Sequence, residues 1–267
     1  MRSPPLRFRA LFALASLSLA VSWASGARAQ QSIDDYNTFR GGRDENGPAE
    51  SPQNAAFELR VGRYVPNIDD EFADQKPYEQ TFGTKNRYSI GLEVDWQAMR
   101  IPYVGTLGPG IGIEYTKISA HSFVASDPTL QTRAGEGEVS SLTILPMYLV
   151  AVLRADYFAR ESKIPLVPYA KLGVGWAFWS LGNGTGTANV NGISGRGTSY
   201  GFQWALGGML LLDALDPHSA LQMDANTGVN NSYFFVEWYD SKLNGFGSGG
   251  QMQVGSNTWV LGLAFEI

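Results

Sequence analysis

Apolar and polar residues alternate one by one along much of the chain. From Tyr88 to Trp96, the residues Tyr88, Ile90, Leu92, Val94 and Trp96 alternate with Ser89, Gly91, Glu93 and Asp95. Successive side chains of a β-strand point to opposite faces, so this segment has one apolar face and one small or charged face. Near the C-terminal end Trp259, Leu261, Leu263, Phe265 and Ile267 oppose Gly262, Ala264 and Glu266. Leu172, Val174, Trp176 and Phe178 oppose Lys171, Gly173, Gly175 and Ala177. Tyr200, Phe202, Trp204 and Leu206 oppose Gly201, Gln203, Ala205 and Gly207, and Phe234, Val236 and Trp238 oppose Tyr233, Phe235 and Glu237. The pattern predicts eight strands, over 56–65, 87–97, 108–119, 140–154, 166–179, 198–212, 232–240 and 257–267. The fourth contains Leu142 to Val150, which is apolar on both faces, and the period does not assign it.

Which face carries the charge separates two kinds of barrel. Glu58, Arg60, Glu93, Asp95, Glu114, Lys171, Glu237 and Glu266 all fall on the face with the glycines. Small and charged residues suit a narrow interior filled by ion pairs, and large aliphatic and aromatic residues suit an exterior in lipid. A soluble lipocalin-like barrel needs the reverse. The prediction is an all-β chain, an eight-stranded antiparallel transmembrane β-barrel over 56–267. Its lumen is expected to be plugged by a connected charge network centred on Arg60 and Lys171. Strand neighbours place Arg60 near Glu93 and Glu266. The excess of acids leaves some carboxylates to water or to protonation. Gly91 is assigned to the lumen, with room for one extra methyl, and Leu92 to the lipid face.

Connections agree with this topology. The gaps near 66–86, 120–139, 180–197 and 241–256 are long and polar, whereas 98–107 and 155–165 are shorter. Membrane barrels have long outer loops and short periplasmic turns. The sixth gap is long, but it carries a helix signal: Asp216 as N-cap, Pro217 at the first helical position and Gly228 as a stop. One short periplasmic helix is predicted there. Trp176, Phe178, Trp179, Tyr200, Trp238, Tyr239 and Trp259 are expected to form an outer aromatic girdle, with Trp96, Tyr157, Phe158, Tyr169 and Phe265 in an inner one.

The N-terminal region reads as an export signal over 1–29. Arg2, Arg7 and Arg9 precede the apolar run Ala10 to Val21, and Ala27-Arg28-Ala29 offers small residues for cleavage before Gln30. Residues 30–55 are polar and read as a flexible periplasmic leader. Removing the signal takes away four Arg and no acid, so the formal charge moves from -5 to -9. That acidity gives no support for nucleic-acid binding. With no cysteine, the chain has no disulfide, thiolate or lipid-anchor chemistry.

Two stretches carry a resemblance. Ala220-Leu221-Gln222-Met223-Asp224, followed by Gly228-Val229-Asn230-Asn231-Ser232-Tyr233-Phe234-Phe235-Val236-Glu237, resembles a signature of uncharacterised myxobacterial-type outer-membrane β-barrels. Gly255-Ser256-Asn257-Thr258-Trp259, with Gly262-Leu263 and Phe265-Glu266-Ile267, resembles the same group's last strand. The resemblance is sharp over roughly the last fifty residues and architectural before them. It implies a small OmpA-, OmpX- or OmpW-like barrel in the outer membrane of a Gram-negative bacterium, and no known activity. It also implies a C-terminal assembly signal in Trp259, Leu261, Leu263, Phe265 and Ile267, although an aromatic last residue is usual and Ile267 stands there.

Candidate chemistry is sparse. His121, Ser122, Glu136 and Glu138 resemble in composition the sites of some lipid A-trimming barrel hydrolases, but adjacent strand residues face opposite ways, so His121 and Ser122 should diverge. Asp69, Asp70, Glu71 and Asp74 form an acidic cluster without the fixed spacing of a calcium loop. No cofactor or metal is expected. The favoured reading is a non-catalytic structural or surface-interaction barrel whose partners are outer-membrane lipid, lipopolysaccharide and the barrel assembly machinery. The alternatives are a lipid A hydrolase and a narrow small-solute channel.

Overall fold

The structure, a computed structural model, describes residues 54–267 apart from 124–131, 134, 136–138, 163, 184–185, 191 and 249. The signal segment, nearly all of the leader, and Glu136 and Glu138 lie outside the described residues. Eight strands form the body: β1 (Ala55–Arg63), β2 (Tyr88–Trp96), β3 (Gly105–His121), β4 (Val139–Arg154), β5 (Leu166–Gly182), β6 (Arg196–Leu211), β7 (Asn231–Lys242) and β8 (Asn257–Glu266). Each pairs antiparallel with its neighbours in sequence, and β8 returns to pair with β1. The seam is closed by Ala55 N–H to Ile267 O at 3.1 Å and Ile267 N–H to Ala55 O at 2.9 Å. This is a closed eight-stranded up-and-down barrel without a free edge. Its strands sit where the alternation predicts, with ends displaced by a few residues.

The alternation also sets the faces. Leu92 is 42 % exposed, whereas Glu93 beside it is 1 % exposed. The outward row of β2 runs from Tyr88 to Trp96 without a polar residue, and β8, β5 and β6 repeat it. Eight residue steps at about 3.4 Å, tilted by ~40°, give a band ~21 Å tall, close to the apolar belt of membrane barrels. Three aromatics depart from the girdle expectation. Tyr169 and Tyr239 are buried inside, and Trp179 is half-buried against the interior with its Nε1 3.2 Å from Ser199 Oγ. Their odd numbers put them on the lumen side of β5 and β7.

The wall is uneven. β3 and β5 have 17 residues and β4 and β6 have 16, against 9 for β1 and β2. At the end of the barrel that carries the long loops, the connection from β1 to β2 rises from the low wall and folds against the tall one. It contains a 3-10 turn at Asn67–Glu71 and a short helix, α1 (Pro77–Phe82). Tyr64, Ile68, Tyr78 and Phe82 from this connection pack on Ile118, Leu142, Ile144 and Ala177 of the tall wall and on Leu243 and Val254. A small apolar core thus lies at this end of the barrel.

Helix α1 was not visible in the period, because a distant residue holds it. The Asp69 carboxylate accepts from Tyr78 N–H at 2.7 Å and Glu79 N–H at 3.0 Å, capping the helix from nine residues away. Gly83, at φ 73°, ends it. Arg133, from the β3–β4 connection, donates to the carbonyls of Gln80 and Thr81 at 2.7 and 2.8 Å, satisfying the other end. A second unpredicted helix, α2 (Tyr157–Glu161), follows β4. The expected helix, α3 (Pro217–Thr227), is present with the expected caps: Asp216 accepts from Ser219 N–H at 3.1 Å, and Gly228 is left-handed. It lies at the end of the barrel where the seam residues Ala55 and Ile267 sit. The chain therefore has more helix than the single element the sequence predicts.

Candidate functional site

The middle of the barrel holds the site, because the inward rows of seven strands contribute to it. Arg60 of β1 points into the lumen and is 2 % exposed. Its Nη1 donates to Glu58 Oε2 at 2.9 Å and Glu93 Oε2 at 2.7 Å, and its Nη2 pairs with Glu237. Its Nε stands 3.7 Å from Glu114 Oε1. Lys171 of β5 reaches the same knot, with Nζ 2.7 Å from Glu58 Oε2, 2.7 Å from Glu93 Oε1 and 3.7 Å from Glu237 Oε2.

A third cation completes the network, and the sequence reading missed it. Arg154, at the end of β4, lies 3.1 Å from Glu58, 2.5 Å from Asp95 and 3.7 Å from Glu266. The missed signal was parity. Arg154 shares the inward face with Leu142, Ile144, Tyr148, Val150 and Val152. A strand apolar on both faces hides its phase, so its terminal charge was not assigned.

Glu266 is held differently from the expectation. It does not meet Arg60. The partner of Arg60 on β8 is Gly262, and Glu266 pairs with Ala56, four residues down the strand, or ~13 Å at about 3.3 Å per residue. Glu266 instead accepts from Gln97 Nε2 at 2.7 Å, Asn231 Nδ2 at 2.9 Å and Tyr233 OH at 3.0 Å, and faces Arg154.

Aromatic rings pack around the knot, and three of them are seated opposite a glycine. Tyr148 lies across from Gly112, Tyr169 across from Gly207, and Phe235 across from Gly262. A β-carbon on Gly112 would come within 2.1 Å of the Tyr148 ring. The glycines are the sockets that let the rings turn inward, and the tyrosines use their polar ends. Tyr148 OH donates to Glu93 at 2.7 Å and Tyr169 OH to Glu237 at 2.9 Å. Gly91 belongs to the same set. A methyl there would approach Glu114 Cγ at 2.6 Å and Ile113 O at 2.9 Å, so the spare room expected at this position is absent.

Chemically, this is a knot of six carboxylates and three cations, all buried. Oxygens of Glu58, Glu93 and Asp95 converge within 4.8 Å of one another, a spacing a cation can bridge. Arg60, Lys171 and Arg154 already supply positive charge to those oxygens. Glu114 Oε1 and Asp95 Oδ1 have no hydrogen-bond partner among the described residues.

The other candidates do not assemble a reaction centre. His121 is an exposed residue at the end of β3 whose backbone carbonyl accepts from Arg133 at 2.7 Å. The Ser122 hydroxyl is shared with Ser140 Oγ at 2.9 Å. In the acidic cluster, Asp69 caps α1, and Glu71 accepts from Gln253 N–H. The outward row Trp259, Leu261, Leu263, Phe265 and Ile267 lies along the exterior of β8, with Ile267 exposed just past its end.

No family model matches the chain, and no curated protein matches it. Solved structures similar to it include Ail, the attachment invasion locus protein of Yersinia pestis, at 12% identity and a TM-score of 0.38, covering 82% of this chain and 100% of that one. Neisserial surface protein A is similar at 10% identity and a TM-score of 0.38, covering 81% and 98%. The N-terminal β-barrel domain of Pseudomonas aeruginosa OprF is similar at 10% identity and a TM-score of 0.37, covering 81% and 100%.

Proposed function

We propose that this chain is an outer-membrane β-barrel with a sealed lumen and a structural or surface-interaction role, without catalysis. The inverted distribution of polarity carries this reading: a closed barrel with aliphatic and aromatic side chains outside and ion pairs inside. Only closed barrels and helices satisfy every backbone group in lipid, and no helix among the described residues is long and apolar enough to cross a membrane. The long-loop end faces outward, and the seam and α3 face the periplasm. A signal peptide cut between Ala29 and Gln30 delivers the chain, and the outward row of β8 is the segment read by the barrel assembly machinery. Outer-membrane lipid and lipopolysaccharide surround the band. The segments over α3, β7 and β8 support the likeness to the myxobacterial-type group.

The knot and the apolar mouth lie one above the other along the lumen. This favours a plug over a channel, since eight strands leave an interior just wide enough for side chains. Cell fractionation tests the reading. The protein is expected to resist salt and alkali extraction and to migrate faster on gels when unheated. Recovery of folded protein in the soluble periplasmic fraction would overturn it.

A further inference from the structure

At the long-loop edge of the exterior, one cross-strand row differs from the rest of the belt. Gly62 pairs with Val260, and the same register continues to Asn67 N–H and Gly255 O at 2.8 Å, which sets Arg63 beside Trp259. Arg63 pairs with Tyr88 on its other side. Ile90 pairs with Tyr115, and Thr116 Oγ1 donates to Tyr88 O at 3.0 Å, so continuing that ladder sets Lys117 beside Tyr88. Four neighbouring strands thus present Trp259, Arg63, Tyr88 and Lys117 side by side, aromatic alternating with cation. All four are exposed. Neither Arg63 nor Lys117 has a carboxylate within ion-pair distance among the described residues, in contrast to the cations of the lumen.

The neighbouring positions fix the depth of this row. Below it on the same faces are Val61, Ile90 and Tyr115, all exposed and apolar or aromatic. Beyond it β1 ends, and the chain enters the loop that caps the mouth. The two charges, about 10 Å apart at the ~4.8 Å strand spacing, therefore stand at the boundary between belt and water. Rings at that boundary favour the lipid interface, and unpaired cations there favour anionic headgroups.

We propose that the Trp259–Arg63–Tyr88–Lys117 row binds the phosphate of an acylated lipid of the surrounding leaflet. The two cations take the headgroup, and the rings, with Ile90 and Val61 below, take the start of the acyl chains. The proposal rests on the membrane reading above and adds a lipid class and a site to it.

The test measures the unfolding temperature of the mature barrel in neutral detergent during titration with bis-phosphorylated lipid A. The wild type is expected to gain stability as this lipid is added, and to gain little from dephosphorylated lipid A or inorganic phosphate. Arg63→Gln combined with Lys117→Gln is expected to weaken the apparent affinity on the order of tenfold. Lys242→Gln, at an exposed cation on β7 away from the row, is expected to leave it unchanged. Arg63→Lys with Lys117→Arg keeps both charges and is expected to retain most of the affinity, a result that holds even if the neutral pair folds poorly. An equal response to dephosphorylated lipid A, a response to inorganic phosphate alone, or an unchanged affinity in the double Gln variant would each overturn the lipid site. Heat-modifiable migration reads the membrane barrel separately, so loss of the site leaves that reading standing.

Discussion

The lumen is filled at two levels, by opposite chemistry. At mid-height, side chains of the strands themselves form an ionic knot around Arg60, Lys171 and Arg154. At the long-loop end, a connection packs Tyr64, Ile68, Tyr78 and Phe82 into a buried apolar cluster. The knot is rigid by connectivity, since each of its three cations touches at least three carboxylates. The cap is held by burial and by a few polar ties, chiefly Asp69 and Arg133. A buried charge that loses its partner cannot recover it from water, whereas an apolar lid that opens meets solvent at modest cost. The knot should therefore fail globally and the cap locally.

Arg60→Ala should produce the largest effect. It leaves Glu58, Glu93 and Glu237 facing one another with Lys171, and Arg154 on Glu58 alone, to balance them, and breaking a buried pair in this way costs about 3–5 kcal/mol. Denaturant unfolding in detergent micelles reads the loss. A change below about 1 kcal/mol would show that the knot contributes no more than an exposed ion pair.

Gly112→Ala should come next. The added methyl displaces the Tyr148 ring and with it the hydroxyl on Glu93, and overpacking of this kind costs about 1–3 kcal/mol. Replacing Tyr148 with Leu in the same background should return part of the stability. If Gly112→Ala alone is neutral, the sockets are looser than the geometry indicates.

Asp69→Ala should have the smallest global effect and the most local one. Losing a helix cap costs about 1 kcal/mol. Hydrogen exchange should rise over residues 67–83 while the amides of β1 and β5 stay protected. Current across planar bilayers is expected to be absent from this variant and the wild type alike, because the knot below the cap is intact. Uniformly faster exchange through the barrel would mean that cap and knot unfold as one unit.

Legibility in the sequence follows the same division. Strict alternation made β1, β2, β5, β6, β7 and β8 readable, and it put Arg60, Glu93, Lys171 and Glu237 on one face, because period and burial are the same information in a closed sheet. The cap was not readable. Asp69 reads locally as one acid in a solvated run, and its role appears only when Tyr78 and Glu79 come round to it. Arg154 falls between these cases. It lies in a segment whose both faces are apolar, and pairing with Gly112 across from Tyr148 was needed to fix the phase. Glu266 was assigned to the right face but the wrong partner, since parity gives the face and only register gives the height.

The knot also constrains the order of events. Glu58 and Lys171 are 113 residues apart, and Arg60 and Glu237 are 177 apart. No hairpin of neighbouring strands contains both members of either pair. Arg60 gains Glu237 only when the first strand meets the last through the seam. Until then at least one of these charges lacks a partner, so dehydration of the lumen and closure of the seam should be coupled. A nascent barrel with a mispaired seam would carry an unmatched charge at its centre, and the ion pairs would serve as a checkpoint on strand order during biogenesis.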